Sequence, residues 1–281
     1  MNRAAATGEV RGAQAAEAPL VSVVIPCFNA VAYVEATIES VLRQSWTALE
    51  VIVVDDKSTD ATVQVVTAIA ARDARVRLIE LPRNHGAPAA PRNLGVAAAR
   101  GEWIAFLDAD DLWHPRKLEL QLLALHERSA VMCSTQMRDF HDESEIVIEP
   151  PPARPHIELI TLTTQLLKYR TPTSSIVARR ELVQRHPFNE DLSYKAREDT
   201  DCFIRVHEEM PFSIKIAHPL VFYRQQANQI SGNKWKMVGR HLAMLKKYRF
   251  KSGKGLGPMA YVYTFTHFAA SIYLRLFRRM L

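Results

Sequence analysis

Three carboxylates within four positions, Asp108, Asp110 and Asp111, are the feature of this 281-residue sequence best suited to chemistry. They follow an apolar run, residues 103–107, whose composition is typical of a strand buried on both faces of a sheet. Open α/β sheets bind ligands at the carboxyl ends of their strands. Because clustered carboxylates repel one another, we expect a hard divalent cation, Mg²⁺ or Mn²⁺, shared with a phosphate. The alternative is that one of these acids caps the following helix.

Two other predicted strands end in polar residues that belong at the same edge of a sheet. Residues 21–26 are followed by Asn29, and residues 50–54 run directly into Asp55 and Asp56. A carboxylate at a strand end can accept hydrogen bonds from a base or from ribose hydroxyls. Together with the acids that follow residue 107, these side chains predict a site for a nucleotide diphosphate. The alternatives are a helix-capping pair of acids at 55–56 and an ordinary turn at Asn29.

The elements that must position these residues alternate regularly in the first half of the chain. Strand and helix patterns follow each other four times over residues 21–107, which predicts an α/β fold with a doubly wound, largely parallel sheet. Neither Gly-x-Gly-x-x-Gly nor Gly-x₄-Gly-Lys-Ser/Thr occurs. Their absence argues against a nicotinamide-binding domain and a P-loop nucleotidase.

The second half is less regular, and its elements are predicted from short patterns. A helix is predicted over 157–169 and another over 199–208. Further strands are predicted at five short apolar runs, namely 130–137, 145–148, 173–178, 212–216 and 220–223.

Charge is distributed unevenly along the chain. The net charge is +6, and eleven of the 36 Lys and Arg residues lie in residues 232–281, which contain no Asp or Glu. The rest of the chain therefore carries 25 basic and 30 acidic residues. A mildly acidic body does not indicate a nucleic-acid-binding domain, and no nucleic-acid partner is expected. Three cysteines, Cys27, Cys133 and Cys202, lack metal-ligand spacing and indicate a reducing, cytoplasmic location.

Both ends of the chain differ in composition from the body. Residues 1–19 are rich in Ala and lack an apolar signal segment, so we expect a disordered tail. Residues 234–250 and 259–281 have amphipathic helical patterns with basic residues. A continuous polar stripe argues against a membrane span and favours a helix lying on an anionic membrane surface. The alternative is a helix packed on the protein's own core or in a homodimer.

The motifs at 21–29 (VSVVIPCFN), 51–60 (VIVVDDKSTD) and 91–111 (PRNLGVAAARGEWIAFLDADD) resemble, in this order, those of family 2 glycosyltransferases. The resemblance extends over residues 20–231. It implies the GT-A fold, in which helices flank a mostly parallel central sheet, and an inverting reaction. It also implies a division into a nucleotide-sugar half, 20–128, and an acceptor half, 129–231, with residues 232–281 as a basic extension.

The resemblance assigns roles to individual residues. Asp110, with Asp108 and Asp111, would coordinate Mn²⁺ or Mg²⁺. Arg92 would belong to the donor site, and a surface salt bridge is the alternative for this residue. Lys57 departs from the small residue usual after the acid pair. The donor site would be lined by Pro26, Asn29, Asp55, Asp56, Asn84, Arg92, Asn93, Asp108 and Arg224.

The general base is expected in the second half. Residues 197–205 resemble the family's Glu-Asp motif, with Asp199 as base and Glu198 orienting it or the acceptor. Acids in the first turn of a helix are also favoured by its dipole, which is the alternative reading. The hydroxyls of residues 171–175 are expected to contact the acceptor, although a loop before a strand has the same composition. Relatives often carry a metal-binding His where Gln225 and Gln226 stand here, so a third metal ligand is not identified.

These features predict a metal-dependent glycosyltransferase that moves a sugar from a nucleotide diphosphate sugar, a UDP-sugar, to a glycan or lipid-linked acceptor. Its expected setting is bacterial surface polysaccharide synthesis, in the cytoplasm and peripherally on the inner face of the cell membrane. The alternative is a nucleotidyltransferase that makes the activated sugar, although the Gly-rich basic loop usual after its first strand is absent. A catalytically inactive binding module is disfavoured by the intact acids at 108–111 and 198–199.

Overall fold

A sheet of nine strands organises the part of the chain that the computed structural model describes, namely residues 18–152, 154–168, 171–226 and 234–278. Of the predicted disordered tail, 1–19, only the last two residues lie within these ranges. The remainder of that prediction, like residues 232–233 and 279–281 of the basic extension, lies outside the described residues.

The first half alternates strands and helices as predicted. It contains β1 (Val21–Cys27), α1 (Val34–Leu42), β2 (Leu49–Asp55), α2 (Thr62–Arg72), β3 (Val76–Glu80), α3 (Ala89–Ala98) and β4 (Trp103–Phe106). The strands lie in the order β3-β2-β1-β4, and all three pairings are parallel. Every residue of β1, β2 and β4 is buried, which explains their continuous apolar sequences. The carboxyl ends of these three strands therefore lie at one edge.

The second half continues the sheet with mixed directions. It contains β5 (Leu112–Trp113), α4 (Lys117–Glu127), β6 (Met132–Phe140), β7 (Ile157–Ile160), α5 (Leu162–Leu167), β8 (Val177–Arg179), α6 (Arg180–Arg185), α7 (Glu198–Glu209) and β9 (Ser213–Arg224). β8 lies between β4 and β6 and is antiparallel to both, β6 is parallel to β9, and β5 and β7 are antiparallel to β9. The α/β fold is confirmed, but the sheet is wholly parallel only in its first half, and in its second half β6–β9 is the one parallel pairing among the described strands.

Several predictions for the second half were wrong in detail. Residues 145–148 form no strand, and the helix predicted over 157–169 is divided into β7 and α5. The two strands predicted at 212–216 and 220–223 are one strand, β9, which continues through Pro219. Pro219 faces Gln136 where the register of the β6–β9 pairing shifts, so the missing N–H of the proline falls at an irregularity.

The core lies on both faces of the sheet. α3 packs closely against β1 because Gly95 has no side chain, and a Cβ at this position would lie 2.4 Å from Cγ1 of Val24. The contact fixes the start of α3, and with it Arg92, relative to the end of β1.

Two C-terminal helices, α8 (Lys234–Lys247) and α9 (Met259–Arg278), pack against α5 and α7. Buried residues of the body and of the C-terminal segment form one apolar cluster. It includes Leu166 and Ile204 of the body and Leu245, Tyr248 and Ala260 of the C-terminal segment. This packing agrees with the alternative of helices that rest on the protein's own core. No helix in the described ranges is long and apolar enough to cross a membrane.

Candidate active site

A cavity of about 810 Å³ opens at the carboxyl ends of β1 and β4 and extends to the start of α7. Nine of the residues predicted to act in catalysis, donor binding or metal binding line it: Pro26, Asn29, Asp56, Asn84, Arg92, Asp108, Asp110, Glu198 and Asp199. Four others, Asp55, Asn93, Asp111 and Arg224, are not part of its lining. The cavity therefore brings together residues that are far apart in sequence.

The turn after β2 is held by Asp55 and Asn29. Asp55 accepts hydrogen bonds from the Ser58 backbone N–H, at 2.8 Å, and from the Ser58 hydroxyl. Oδ1 of Asn29 accepts a hydrogen bond from the Thr59 backbone N–H at 2.8 Å. Both Asn29 and Lys57 have left-handed backbone conformations, with φ of 49° and 67°. Asp55 thus caps the turn, and a direct contact with the donor has no geometric support.

Asp56 is the acid of this pair that faces the cavity. Its carboxylate accepts a hydrogen bond from the His85 backbone N–H at 2.9 Å and lies 2.8 Å from Nδ1 of the same histidine. Asn84 donates from Nδ2 to the Asp56 carbonyl at 2.9 Å and accepts from the Gly86 N–H at 2.7 Å. Residues 84–86 are therefore folded over the end of β2.

Arg92 connects the two halves of the site. Its Nη2 donates to Oδ1 of Asp108 at 2.7 Å, and its Nη1 donates to Oε1 of Glu198 at 3.3 Å. The guanidinium is buried and lies over the ring of Phe188. Burial alone would lower the pKa of Arg92, but Asp108 and Glu198 together raise it above its ordinary value. Arg92 is therefore permanently charged and bridges the two acids. Because the guanidinium is buried, these ion pairs are not the surface salt bridge that was the alternative for this residue.

Asp108 and Asp110 are the acids of the central loop that face the cavity. The Asp108 backbone N–H donates to the Ser174 hydroxyl at 3.1 Å, and Oδ2 of Asp110 accepts from Nε2 of Gln226 at 2.8 Å. Burial and the nearby charge of Asp108 raise the pKa of Asp110 to about 6. The negative charge of the Asp110 carboxylate is thus poorly compensated. Carboxylate oxygens are the ligands that Mg²⁺ and Mn²⁺ prefer. These two residues fit a divalent cation.

Asp111 is not part of the cavity lining. It is fully buried, and its Oδ1 accepts a hydrogen bond from the Arg224 backbone N–H at 3.1 Å. Burial and the neighbouring carboxylates of Asp110 and Asp108 raise the pKa of Asp111 well above its ordinary value. The geometry does not support Asp111 as a metal ligand. Across the described parts of the chain, no cluster of three or more His, Cys, Asp or Glu residues could hold a metal ion.

Arg224 supports the acidic loop from behind. Its Nε donates to the Asp110 carbonyl oxygen at 2.9 Å, and its Nη2 donates to Glu143 at 2.7 Å. The guanidinium lies between the rings of Tyr33 and Phe140, at 4.7 and 4.5 Å from their centroids. These contacts direct Arg224 at the loop, so its predicted contact with the diphosphate has no geometric support.

Asn93 likewise has a different position from the one expected. Its side chain forms two hydrogen bonds of 2.9 Å with the backbone of Phe188 and one of 2.8 Å with Glu190. It joins α3 to the loop before α7 instead of lining the donor site. Its sequence neighbour Arg92 points to the other side of the helix, into the cavity.

Asp199 lies in the first turn of α7 and faces the cavity. Its Oδ1 accepts a hydrogen bond from the Thr200 N–H at 2.6 Å, and its Oδ2 accepts one from the Thr173 hydroxyl at 3.2 Å. Glu198 is only 3% exposed, and burial, followed by the charge of Asp199, raises its pKa. Ala196, two residues before Glu198, has a left-handed φ of 64°, a strained conformation often found at functional sites.

Sequence reasoning misplaced or missed several residues of the site. The hydroxyls of Thr173 and Ser174 are buried and position Asp199 and Asp108, whereas they were expected to contact the acceptor. Met237 of α8 lines the cavity, and its carbonyl accepts a hydrogen bond from Nη2 of Arg197 at 3.3 Å. Nothing in the local pattern around Met237 indicates this, because the contact depends on how α8 packs on α7.

The fold and the position of the site define an α/β protein of the GT-A type, and two solved structures of this kind are similar to it. S. aureus TarS 1–349, crystallised with UDP, aligns with a TM-score of 0.63 and 21% identity over 80% of this chain and 64% of that one. The mannosyltransferase PcManGT from Pyrobaculum calidifontis, in complex with GDP-Man and Mn²⁺, aligns with a TM-score of 0.61 and 19% identity over 88% and 70%. At these identities the likeness establishes the fold alone.

The sequence profile of the family described as "Glycosyl transferase family 2" matches residues 22–186. The chain belongs to this family, as its motifs predicted. A similar curated protein is the putative teichuronic acid biosynthesis glycosyltransferase TuaG of Bacillus subtilis, which is 44% identical over 117 residues. That match covers 42% of this chain and 46% of TuaG, so the chain spans about half the length of this relative.

Proposed function

We propose that this protein is a metal-dependent, inverting glycosyltransferase that moves a sugar from a UDP-sugar to a glycan or lipid-linked acceptor. One observation carries the proposal: Arg92 joins Asp108, at a strand end of the donor side, to Glu198, beside Asp199 on the other side of the same cavity. An inverting sugar transfer requires a donor side and an acceptor side in one cavity, because the leaving diphosphate and the proton acceptor must lie on opposite sides of the sugar.

The donor side of the cavity is supplied by residues 20–128. Asp56 and Asn84 lie at the end of β2, where a nucleoside would find hydrogen-bond partners, and Asp108 and Asp110 lie at the end of β4. A divalent cation held by these last two residues would neutralise the charge that develops on the leaving diphosphate. Gln226 and Arg224 keep the Asp110 segment in place.

The acceptor side is supplied by residues 129–231 together with α8. Asp199 is placed to take the proton from the attacking acceptor hydroxyl, and Thr173 and Thr200 hold its two oxygens at fixed positions. The Arg92 bridge fixes the neighbouring Glu198 and balances its charge. A single displacement with Asp199 as base inverts the anomeric configuration.

The names of similar proteins support the cellular setting that we propose. TuaG is named for teichuronic acid biosynthesis, and TarS was crystallised with UDP. A bacterial surface polysaccharide and a UDP-sugar are therefore the substrates that we assign to this chain.

An exposed apolar face on the C-terminal helices would hold the protein on an anionic membrane surface. Trp235 and Phe265 are 76% and 70% exposed, and Tyr261 and Val262 are also exposed. Lys246 lies over the Tyr261 ring at 4.6 Å, so basic charge adjoins this face. The inward faces of the same helices pack on the body, so membrane contact requires no separate tail.

The proposed roles are tested by comparing Asp110→Ala with Asp199→Asn. We expect Asp110→Ala to lose UDP binding that depends on Mn²⁺ or Mg²⁺, and turnover with it. Asp199→Asn should bind UDP and metal as the unchanged protein does while turnover falls about 10²-fold or more, the range for a lost general base. Loss of UDP affinity in Asp199→Asn would make it a donor ligand and contradict its assignment. Full activity in EDTA would contradict the metal role.

The membrane contact is tested with liposomes that contain anionic lipid. Replacing Trp235 and Phe265 with Ser should reduce cosedimentation without changing UDP binding, since both side chains lie outside the cavity lining. Binding should also weaken as salt is raised, because screening reduces the contribution of the basic residues. Unchanged cosedimentation, or a concentration-dependent homodimer that the double variant abolishes, would contradict membrane contact through this face.

A further inference from the structure

Gln226 lies in the immediate surroundings of Asp110 and faces the cavity. Its Nε2 donates to Oδ2 of Asp110 at 2.8 Å, and both residues are part of the cavity lining. The described parts of the chain offer no third His, Cys, Asp or Glu to join Asp108 and Asp110 at a metal. The carboxamide of Gln226 is a neutral polar group in contact with Asp110, whereas Asp108 is paired with Arg92.

The backbone, and not the side chain, determines where Gln226 lies. Two residues before it, Arg224 donates its backbone N–H to Asp111 at 3.1 Å and its Nε to the Asp110 carbonyl at 2.9 Å. The Gln225 N–H donates to the Phe140 carbonyl at 2.8 Å. These contacts fix the end of β9 beside the acidic loop, so the position is prepared for a ligand before any cation binds.

A primary amide carries a donor and an acceptor on one planar group. Rotation of the terminal torsion by about 180° exchanges Nε2 and Oε1 without moving the rest of the side chain. Next to a bare carboxylate, the NH₂ group faces Asp110 because only a donor is attractive there. When a cation neutralises Asp110, the amide oxygen becomes the favourable group, since amide oxygens are ordinary ligands of hard cations.

We propose that Oε1 of Gln226 is the third protein ligand of the divalent cation, and that it sets which cation is preferred. This inference rests on the metal-dependent function proposed above. Asp108, Asp110 and Gln226 form a donor set of oxygens only, which suits Mg²⁺ as well as Mn²⁺. An imidazole at the same position would favour Mn²⁺ over Mg²⁺, because nitrogen ligands suit transition metals better.

The test is direct binding of Mn²⁺, followed by electron paramagnetic resonance, to the full chain in the presence of saturating UDP. We expect Gln226→Ala to weaken Mn²⁺ binding at least 10-fold, since even outer partners of metal ligands cost 10–100-fold. Gln226→His should retain Mn²⁺ binding while Mg²⁺ displaces it at least 10-fold less effectively. Gln225→Ala is the matched control and should bind both ions as the unchanged protein does. Circular dichroism and metal-free UDP binding check that each variant is folded.

The outcomes separate this inference from the function on which it rests. If the unchanged protein binds Mn²⁺ with UDP and Gln226→Ala binds it equally well, the ligand role of Gln226 is wrong and metal dependence stands. Equal competition by Mg²⁺ in Gln226→His and the unchanged protein would contradict the role in cation preference. If the unchanged protein binds no Mn²⁺ with UDP or GDP, both the inference and the metal dependence are wrong.

Discussion

Replacing Arg92 by Met should remove the link between the two halves of the site. The free energy of unfolding should fall by an amount that depends on pH. Methionine preserves much of the buried volume but leaves Glu198, only 3% exposed, without its cation. Removing one partner of a buried ion pair costs about 3–5 kcal/mol. Asp108 is more exposed and is expected to contribute less to this loss. We therefore expect the free energy of unfolding to fall by about 3–5 kcal/mol at pH 8.

The pH dependence follows from the protonation of Glu198. Burial and Asp199 already raise its pKa, and Arg92 opposes this increase, so removing Arg92 raises the pKa further. A carboxyl group with a raised pKa binds its proton more tightly in the folded state, and stability is lost as pH rises through that pKa. The deficit of Arg92→Met should accordingly shrink towards pH 5, by at most about 1.4 kcal/mol per pH unit.

Urea unfolding between pH 5 and pH 8 measures this deficit, with Arg72→Met as the matched control. Arg72 pairs with Glu35 at 2.9 Å on the surface, where both side chains are more than half exposed, and its removal should cost less than about 1 kcal/mol. Arg92→Lys should recover only part of the loss, because a single ammonium cannot repeat the two-sided contact of a guanidinium. Equal losses for Arg92→Met and Arg72→Met at pH 8 would refute the bridge.

Three further predictions follow from the same contacts. Burial lowers the pKa of Lys117 to about 7, so stability should rise with pH by up to about 1.4 kcal/mol per unit between pH 7 and 10.5; Lys117→Met should remove that slope in urea unfolding, and an unchanged slope would contradict it. Lys57→Gly should stabilise the protein by about 0.5–1 kcal/mol, because φ is 67° there, and a loss of stability would show that the turn is not strained. Removing residues 259–281 should lower the melting temperature or cause aggregation, because Ala260 and Thr264 are buried; an unchanged melting temperature would mean that α9 does not support the fold.

The donor side of the cavity could be predicted largely from sequence, because local patterns determine it. An apolar run that ends in an acid identifies both a buried strand and what stands at its carboxyl end. In a parallel sheet these ends share one edge, so Asn29, Asp56 and Asp108 were expected together. The structure places all three in the lining of one cavity.

In each pair of adjacent acids, the role of the member outside the cavity lining could not be predicted in the same way. Asp55 and Asp111 have the same residue type as their neighbours but are bound to the Ser58 turn and to the Arg224 backbone. Arg224 lies 113 residues from Asp111, so no local pattern predicts which group forms a hydrogen bond with the Asp111 carboxylate. Strand alternation alone sends adjacent side chains to opposite faces, and only the packing decides which face holds the cavity.

The C-terminal helices illustrate the same limit on a larger scale. Their amphipathic patterns were evident, but the pattern alone cannot say whether the apolar face meets lipid or protein. Leu245 and Tyr248 meet the body, whereas Trp235 and Phe265 remain exposed, so the two helices have apolar residues on more than one side. The contact of Met237 with Arg197 then makes α8 part of the cavity, which a tail independent of the body could not provide.

The most direct test of sugar transfer is phosphorus NMR of the full chain with a panel of nucleotide sugars, Mg²⁺ or Mn²⁺, and bacterial membranes as the source of acceptor. A glycosyltransferase releases the nucleoside diphosphate, so we expect the signals of free UDP to grow, and to grow far more slowly with Asp199→Asn. Consumption of pyrophosphate or its release, with a nucleoside triphosphate as the other reactant or product, would instead identify a nucleotidyltransferase. That result would contradict the function proposed for this protein.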